Sequence, residues 1–191
     1  MPPPRIEVVD FIYHVNSKAV DGARLYRDDV DRLAFRTLLK KETVRSDWCV
    51  LAYSLMTTHF HVLLRLRKPT LSSGFQHLKS VYARSYNRRH ARRGALWQRR
   101  FFDSIVETEP HLYEAIRYVA LNAPRANACA LPEDWPWASY GAAIGAVPRD
   151  PVVDEAELLG LFGTRPDDAR KTLKAMVDER DPRVRVGQTR V

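Results

Sequence analysis

From Trp48 to Phe102 the chain contains no aspartate and no glutamate. Those 55 residues hold eleven basic ones: Arg65, Arg67, Lys68, Lys79, Arg84, Arg88, Arg89, Arg92, Arg93, Arg99 and Arg100. Carboxylates are confined to the segments before and after. An ordinary solvated surface mixes signs, so a block of one sign points to a polyanionic partner, whose phosphates shed counterions to Lys and Arg. A membrane surface fits less well, because the basic residues are spread over predicted strand, helix and loop instead of one amphipathic face. The net charge of +8 has the same sign.

Cysteine is scarce too. Cys49 and Cys129 stand far apart with no C-x-x-C pairing, which excludes a disulfide framework and a zinc knuckle and suits reduced thiols in a cytoplasmic protein. No apolar run is long enough to cross a bilayer, and Met1-Pro2-Pro3-Pro4-Arg5 has none of the features of a signal peptide. There is no internal repeat. What remains is a chain of 191 residues, 45% hydrophobic and 28% charged, with enough material for one real core. We expect one domain over residues 1–142 and a helical C-terminal tail over 143–191.

Residues 1–5 are proline-rich and read as unstructured. Ile6 to Val15 is β-branched and aromatic, a first strand. A helix follows from Asp28 or Asp29 to about Thr43, acidic at its start and basic near its end, with Val30, Leu33, Ala34, Leu38 and Leu39 as its apolar stripe. Trp48–Met56 and His59–Leu66 read as a hairpin. Leu71 to Arg89 is a second helix, whose Leu71, Phe75, Leu78, Tyr82 and Tyr86 recur at core spacing. Phe101–Glu107 is a fourth strand, and Thr108 caps a third helix from Glu109 to about Asn122. Residues 124–140 read as a loop, 154–162 and 167–179 as short helices, and the last dozen as disordered. The order β-α-β-β-α-β is the split β-α-β pattern of an α+β, ferredoxin-like fold, an antiparallel sheet with helices on one face. An extra helix and short C-terminal helices follow it.

Within this frame one string stands out: Met56-Thr57-Thr58-His59-Phe60-His61-Val62. Side chains alternate along a strand, so His59 and His61 share one face while Phe60 enters the opposite layer. Two neighbouring imidazoles make half a metal site, or else one core histidine beside an exposed one. A divalent ion would need a third polar ligand. The third helix offers Tyr118 and Asn122, one turn apart on a common face. There a carboxamide oxygen could complete the ion's shell while a phenol reaches a phosphorus atom. For a tyrosine on an amphipathic helix, packing is the commoner explanation. His77 and His90 read as surface residues, and His14 stays open because its strand can run beside the histidine strand.

Several blocks, in order, carry a family resemblance: Tyr13-His14-Val15, Leu55 to Leu64, Tyr86-Asn87-Arg88-Arg89-His90, Leu96-Trp97-Gln98-Arg99-Arg100-Phe101, Arg117 to Asn122 and Pro136-Trp137-Ala138-Ser139-Tyr140. Across residues 8–142 the chain resembles the single-tyrosine HUH transposases, most closely the REP-associated tyrosine transposases. The resemblance implies that His59 and His61 bind Mg²⁺ or Mn²⁺ with Asn122 as third ligand. It also implies that Tyr118 attacks single-stranded or hairpin DNA, leaving a 5′-phosphotyrosine link and a free 3′-OH, in a monomer or a homodimer. The chain departs from the family pattern at Thr57-Thr58 (usually Pro-Asn), at Ala120 (often His), at Ala123 (usually Pro) and at Asn127 (commonly Gly).

The basic stretch then has a task. Arg65, Arg67, Arg84, Arg88, Arg99 and Arg100 become candidates for backbone phosphates, and Trp97 for base stacking. Tyr82 and Tyr86 read as core packing. Two other readings stay open: a catalytically inactive DNA- or RNA-binding regulatory protein derived from such a transposase, and a phosphodiesterase using metal-bound water.

Overall fold

The computed structural model describes residues 7–179, so the expectations for residues 1–5 and for the last dozen lie outside the described residues. The first strand, β1 (Ile12–Lys18), begins later than the apolar pattern suggests. Asp10 takes a left-handed φ of 68° and turns the preceding segment away. Glu7 leaves the strand for a different task. Its carboxylate accepts from the backbone N–H groups of Leu71 and Ser72, both at 2.8 Å, and so caps a helix 64 residues further on.

Helix α1 (Asp29–Ser46) starts where Asp28 accepts the N–H of Asp31 and runs a turn beyond the expected end, stopping at Asp47, which adopts the left-handed conformation. The hairpin of β2 (Trp48–Leu55) and β3 (His59–Leu66) follows, then α2 (Leu71–Arg89), β4 (Phe102–Val106) and α3 (Glu109–Ala120). The strand order is β2-β3-β1-β4 with every neighbouring pair antiparallel. This is the ferredoxin-like sheet.

Helices α1 and α2 cover one face of it. Phe60 lies 5.0 Å from Phe35 of α1 and 6.1 Å from Phe75 of α2, ring centre to ring centre, over fully buried Val62 and Leu64. Helix α3 packs on β2 and β3 from the other face. Beyond it come single turns α4 (Asn122–Arg125) and α5 (Tyr140–Ala143), then α6 (Glu155–Gly160) and α7 (Pro166–Asp178), the two expected tail helices. Helix α6 packs on β2, and α7 on α3 and α6. The outer edge of β2 is occupied: Leu55 donates to the Trp137 carbonyl, Ser139 to Tyr53, and Asp154 to Val50. On the far side β4 is the edge strand. No helix among the described residues is long and apolar enough to cross a membrane.

Two polar clamps lock the helix layer. Asp31, only 2% exposed, accepts from Arg89 (2.5 Å) and from His90 (2.9 Å), while Arg89 also reaches Asp28 at 2.7 Å. Buried Glu42 accepts from Ser46 Oγ and meets His77 Nδ1 at 2.7 Å. His90 is therefore no surface residue: it joins the end of α2 to the start of α1. Each buried carboxylate is offset by several donors, as burial of a charge requires.

Two stability tests follow. A Cβ added at Gly74, in the first turn of α2, would stand 2.3 Å from Trp48 Cζ2 and 2.8 Å from Ser46 Oγ. Gly74→Ala should therefore lower unfolding free energy in urea by about 1–3 kcal/mol, although alanine is the better helix former. The Asp28 carboxyl is held down at about 2, from an ordinary 3.8, chiefly by its hydrogen bonds with Arg89. Its stabilisation is thus complete above about pH 4 and lost as pH falls through about 2. Asp28→Asn, which keeps an N-cap, should flatten the loss of stability across that window in acid titrations followed by circular dichroism.

Candidate active site

The β1–β3 register lines up the polar side chains of the second face. Lys18 stands opposite His59, Asn16 opposite His61, and His14 opposite Leu63. The His59 and His61 rings are 5.1 Å apart and nearly perpendicular. Two residues back from Asn16 along β1, His14 Nε2 meets His61 Nδ1 at 2.9 Å. Two ring nitrogens this close share a single proton, so one donates and the other accepts. Burial pushes His61 down to about 2, helped by His14 and His59, and pushes His14 down to about 4. Burial also lowers His59, and a hydrogen bond with the Asn122 side chain offsets part of that. All three imidazoles are neutral at neutral pH, with lone pairs to offer.

Helix α3 brings the other partners. Tyr118 is 40% exposed, with its ring 5.2 Å from that of His61 and 5.6 Å from that of His14. Asn122 is buried against His59. The two do not share one continuous helix, as their spacing led us to expect. Helix α3 stops at Ala120, Leu121 takes φ −82° and ψ 3°, and Asn122 opens α4. Pro124 has no N–H to offer the Ala120 carbonyl, so the α-helical ladder cannot run on. Both side chains still reach the histidine face. The turn also places the Arg125 guanidinium 5.3 Å from the centre of the Tyr118 ring, within cation–π range.

Two of the departures from the family pattern have a structural counterpart. Thr58 Oγ1 lies 3.2 Å from His59 Nδ1 and holds that ring. Asn127, where glycine is common, has a left-handed φ of 54°, which asparagine tolerates better than most residues.

The donor set suits a divalent cation. Among the described residues no three His, Cys, Asp or Glu side chains gather to hold a metal, and the polar side chain that meets His59 is the amide of Asn122. His14 has its Nε2 engaged with His61. When His61 donates its Nδ1–H to His14, the His61 Nε2 lone pair points away from that bond, the usual arrangement around a metal-bound histidine.

The proposed DNA contacts are more dispersed. Arg65 pairs with Glu157 at 3.0 Å and Arg67 with Asp154 at 3.6 Å, both joining β3 to the start of α6. Arg84 and Arg88 are exposed on α2, in the layer opposite the histidines. Arg99 and Arg100 are exposed just before β4, where Gln98 donates to the Lys18 carbonyl at the His59 end of the sheet. Trp97 is half-buried. Its indole N–H donates to the Lys79 carbonyl and its ring lies 5.9 Å from Phe60, so its observed contacts are those of the aromatic core. Tyr82 and Tyr86 are buried with their hydroxyls on the Leu25 and Arg24 carbonyls, as core packing requires. Residue patterns alone missed Arg125 and Phe102. The signal for Phe102 is the Phe101-Phe102 pair, which in a strand must send one ring outward.

Three likenesses accompany this geometry. The model of the family described as "Transposase IS200 like" matches residues 7–122. A Haemophilus influenzae protein bearing the name REP-associated tyrosine transposase is 22% identical over 117 residues, 56% of this chain and 66% of that protein, just under two thirds of its length. The structure of a REP-associated tyrosine transposase bound to a REP hairpin superposes with a TM-score of 0.65 at 15% identity. That match covers 78% of this chain and 90% of the other, and it shows a shared fold.

Exposure separates the two aromatic residues in stability. Tyr118→Phe should leave the unfolding free energy in urea within about 0.5 kcal/mol of wild type. Trp97→Ala should cost about 3 kcal/mol, because it removes a ring that closes the core.

Proposed function

The chain belongs to the IS200-like transposase family, and on that footing we propose that it nicks and rejoins single-stranded DNA with Tyr118 as nucleophile. The observation that carries this reading is the approach of Tyr118 to the histidine pair, 5.2 Å from His61 on one side, with Asn122 closing on His59. The Tyr118 oxygen attacks a backbone phosphorus as the bond from phosphorus to the 3′ oxygen breaks. The phenol gives up its proton, and the departing 3′ oxygen takes one up. The products are a 5′-phosphotyrosine and a free 3′-OH, and attack by a 3′-OH on that link rejoins the strand.

His59, His61 and Asn122 would hold Mg²⁺ or Mn²⁺, which when bound supplies positive charge to the phosphate oxygens and to the phenol oxygen. His14 acts through His61, accepting its Nδ1–H and fixing its ring. Arg125 holds the face of the Tyr118 ring and adds cationic charge beside the phosphate path. Tyr118 serves the histidines of its own chain, so a single copy carries a complete site. Lys18, Arg99 and Arg100, at the His59 end of the sheet, receive the strand's backbone phosphates. The solved neighbour is bound to a REP hairpin, and a hairpin with single-stranded flanks is the substrate we assign here.

The experiment is to incubate the protein with labelled hairpin DNA and Mn²⁺ and resolve adducts on a denaturing gel. Wild type should give a covalent adduct, Tyr118→Phe none, and His59→Ala or added EDTA at least about a hundredfold less. Cleavage that survives Tyr118→Phe but not His59→Ala would instead identify a metal-water phosphodiesterase. Salt-sensitive binding without any adduct would identify a binding module.

A further inference from the structure

One aromatic ring on the histidine face has no packing task. Phe102 opens β4 and is 62% exposed, the most exposed aromatic among the described residues. Its neighbour Phe101 points the other way, 5% exposed and 5.0 Å from Phe75. Cross-strand register ties Phe102 to the site: it stands opposite Asn16 of β1, and Asn16 stands opposite His61 of β3. Phe102, Asn16 and His61 therefore form one row on one face. Two strand spacings separate Phe102 from His61, about 10 Å. That is within the reach of one or two nucleotides along a strand whose phosphate sits at Tyr118.

The surroundings suit a nucleic acid. Lys18, exposed, follows Asn16 on the same face, and exposed Arg99 and Arg100 precede the ring. No carboxylate occurs between Trp48 and Phe102, and Asp103 pairs with Val15, so its side chain leaves on the other face. β4 is the edge strand, and a ligand can approach the ring from outside the sheet.

Resting on the function proposed above, we infer that Phe102 is a stacking platform for one unpaired base of the DNA, one or two nucleotides from the phosphate at Tyr118. The flat ring offers a π-face to any base, so the platform fixes the position of the strand without reading its sequence. The cations nearby take the phosphates on either side. The ring thus sets which phosphate is presented to Tyr118.

The test measures equilibrium binding of hairpin DNA with single-stranded flanks, in EDTA, with Tyr118→Phe as parent. Adding Phe102→Ala should weaken binding about five- to a hundredfold, and Phe102→Trp should restore it. Replacing single flank nucleotides by abasic ones should reveal one position where the parent loses affinity and the Phe102→Ala protein does not. Thermal melts that match the parent exclude a folding defect, as an exposed side chain leads one to expect. Equal affinity of parent and Phe102→Ala, or identical abasic profiles, would overturn the platform and leave the nicking proposal standing. A parent that binds no single-stranded DNA would overturn both. A parent dimer that Phe102→Ala splits into monomers, with abasic profiles unchanged, would assign the ring to a second copy of the chain instead.

Discussion

Because β1 and β3 pair at the centre of the sheet, a slip of one residue between them would turn His59 and His61 into the aromatic layer and Phe60 out to water. The cost of such a slip fixes the site. Phe60 is gripped by Phe35, Phe75 and Trp97, and Val62 and Leu64 continue the same buried row. Hydrophobic burial on one side thus aims polar chemistry on the other. The His14–His61 hydrogen bond exists only in this register, and α3 has a polar surface to meet only because of it.

The acid-free span divides once it is folded. Arg65, Arg67, Lys68 and Arg89 find carboxylates in other segments, and Lys79 is buried with Ser17 Oγ at 2.7 Å. Arg84, Arg88, Arg93, Arg99 and Arg100 face outward without an acidic partner among the described residues. A charge block in sequence is therefore partly a set of structural fasteners. Only the outward group at the start of β4 shares the end of the sheet with His59.

Elements whose cause is local were legible to the residue. β3 and α2 have the bounds that alternation and apolar spacing indicate, since a hairpin and Pro69 frame the one and Arg89 ends the other. Elements whose cause is remote were not. β1 starts late because Glu7 answers a helix end 64 residues away, and no local pattern records that. Helix α3 ends early because of Pro124, whose missing N–H leaves the Ala120 carbonyl, four residues upstream, without its helical donor. The histidine pair, the tyrosine and the amide could be named from their order in the chain. His14 could not be decided, because its partner depends on which strand neighbours which. Trp97 belongs to a basic loop, and the isolated bridge between Ala19 and Trp97 sets its half-buried ring beside the aromatic core, a long-range contact that no local pattern records.

The ion pairs between β3 and the start of α6 also define what the tail does for the charge on the sheet. Glu157 and Asp154 neutralise Arg65 and Arg67 beyond the far end of the histidine row. Without those two carboxylates both guanidiniums would stand uncancelled, and positive charge would extend to the second end of the face. These two carboxylates thus work as a mask: they leave the His59 end, with exposed Lys18, Arg99 and Arg100, as the end of the face where positive charge is displayed.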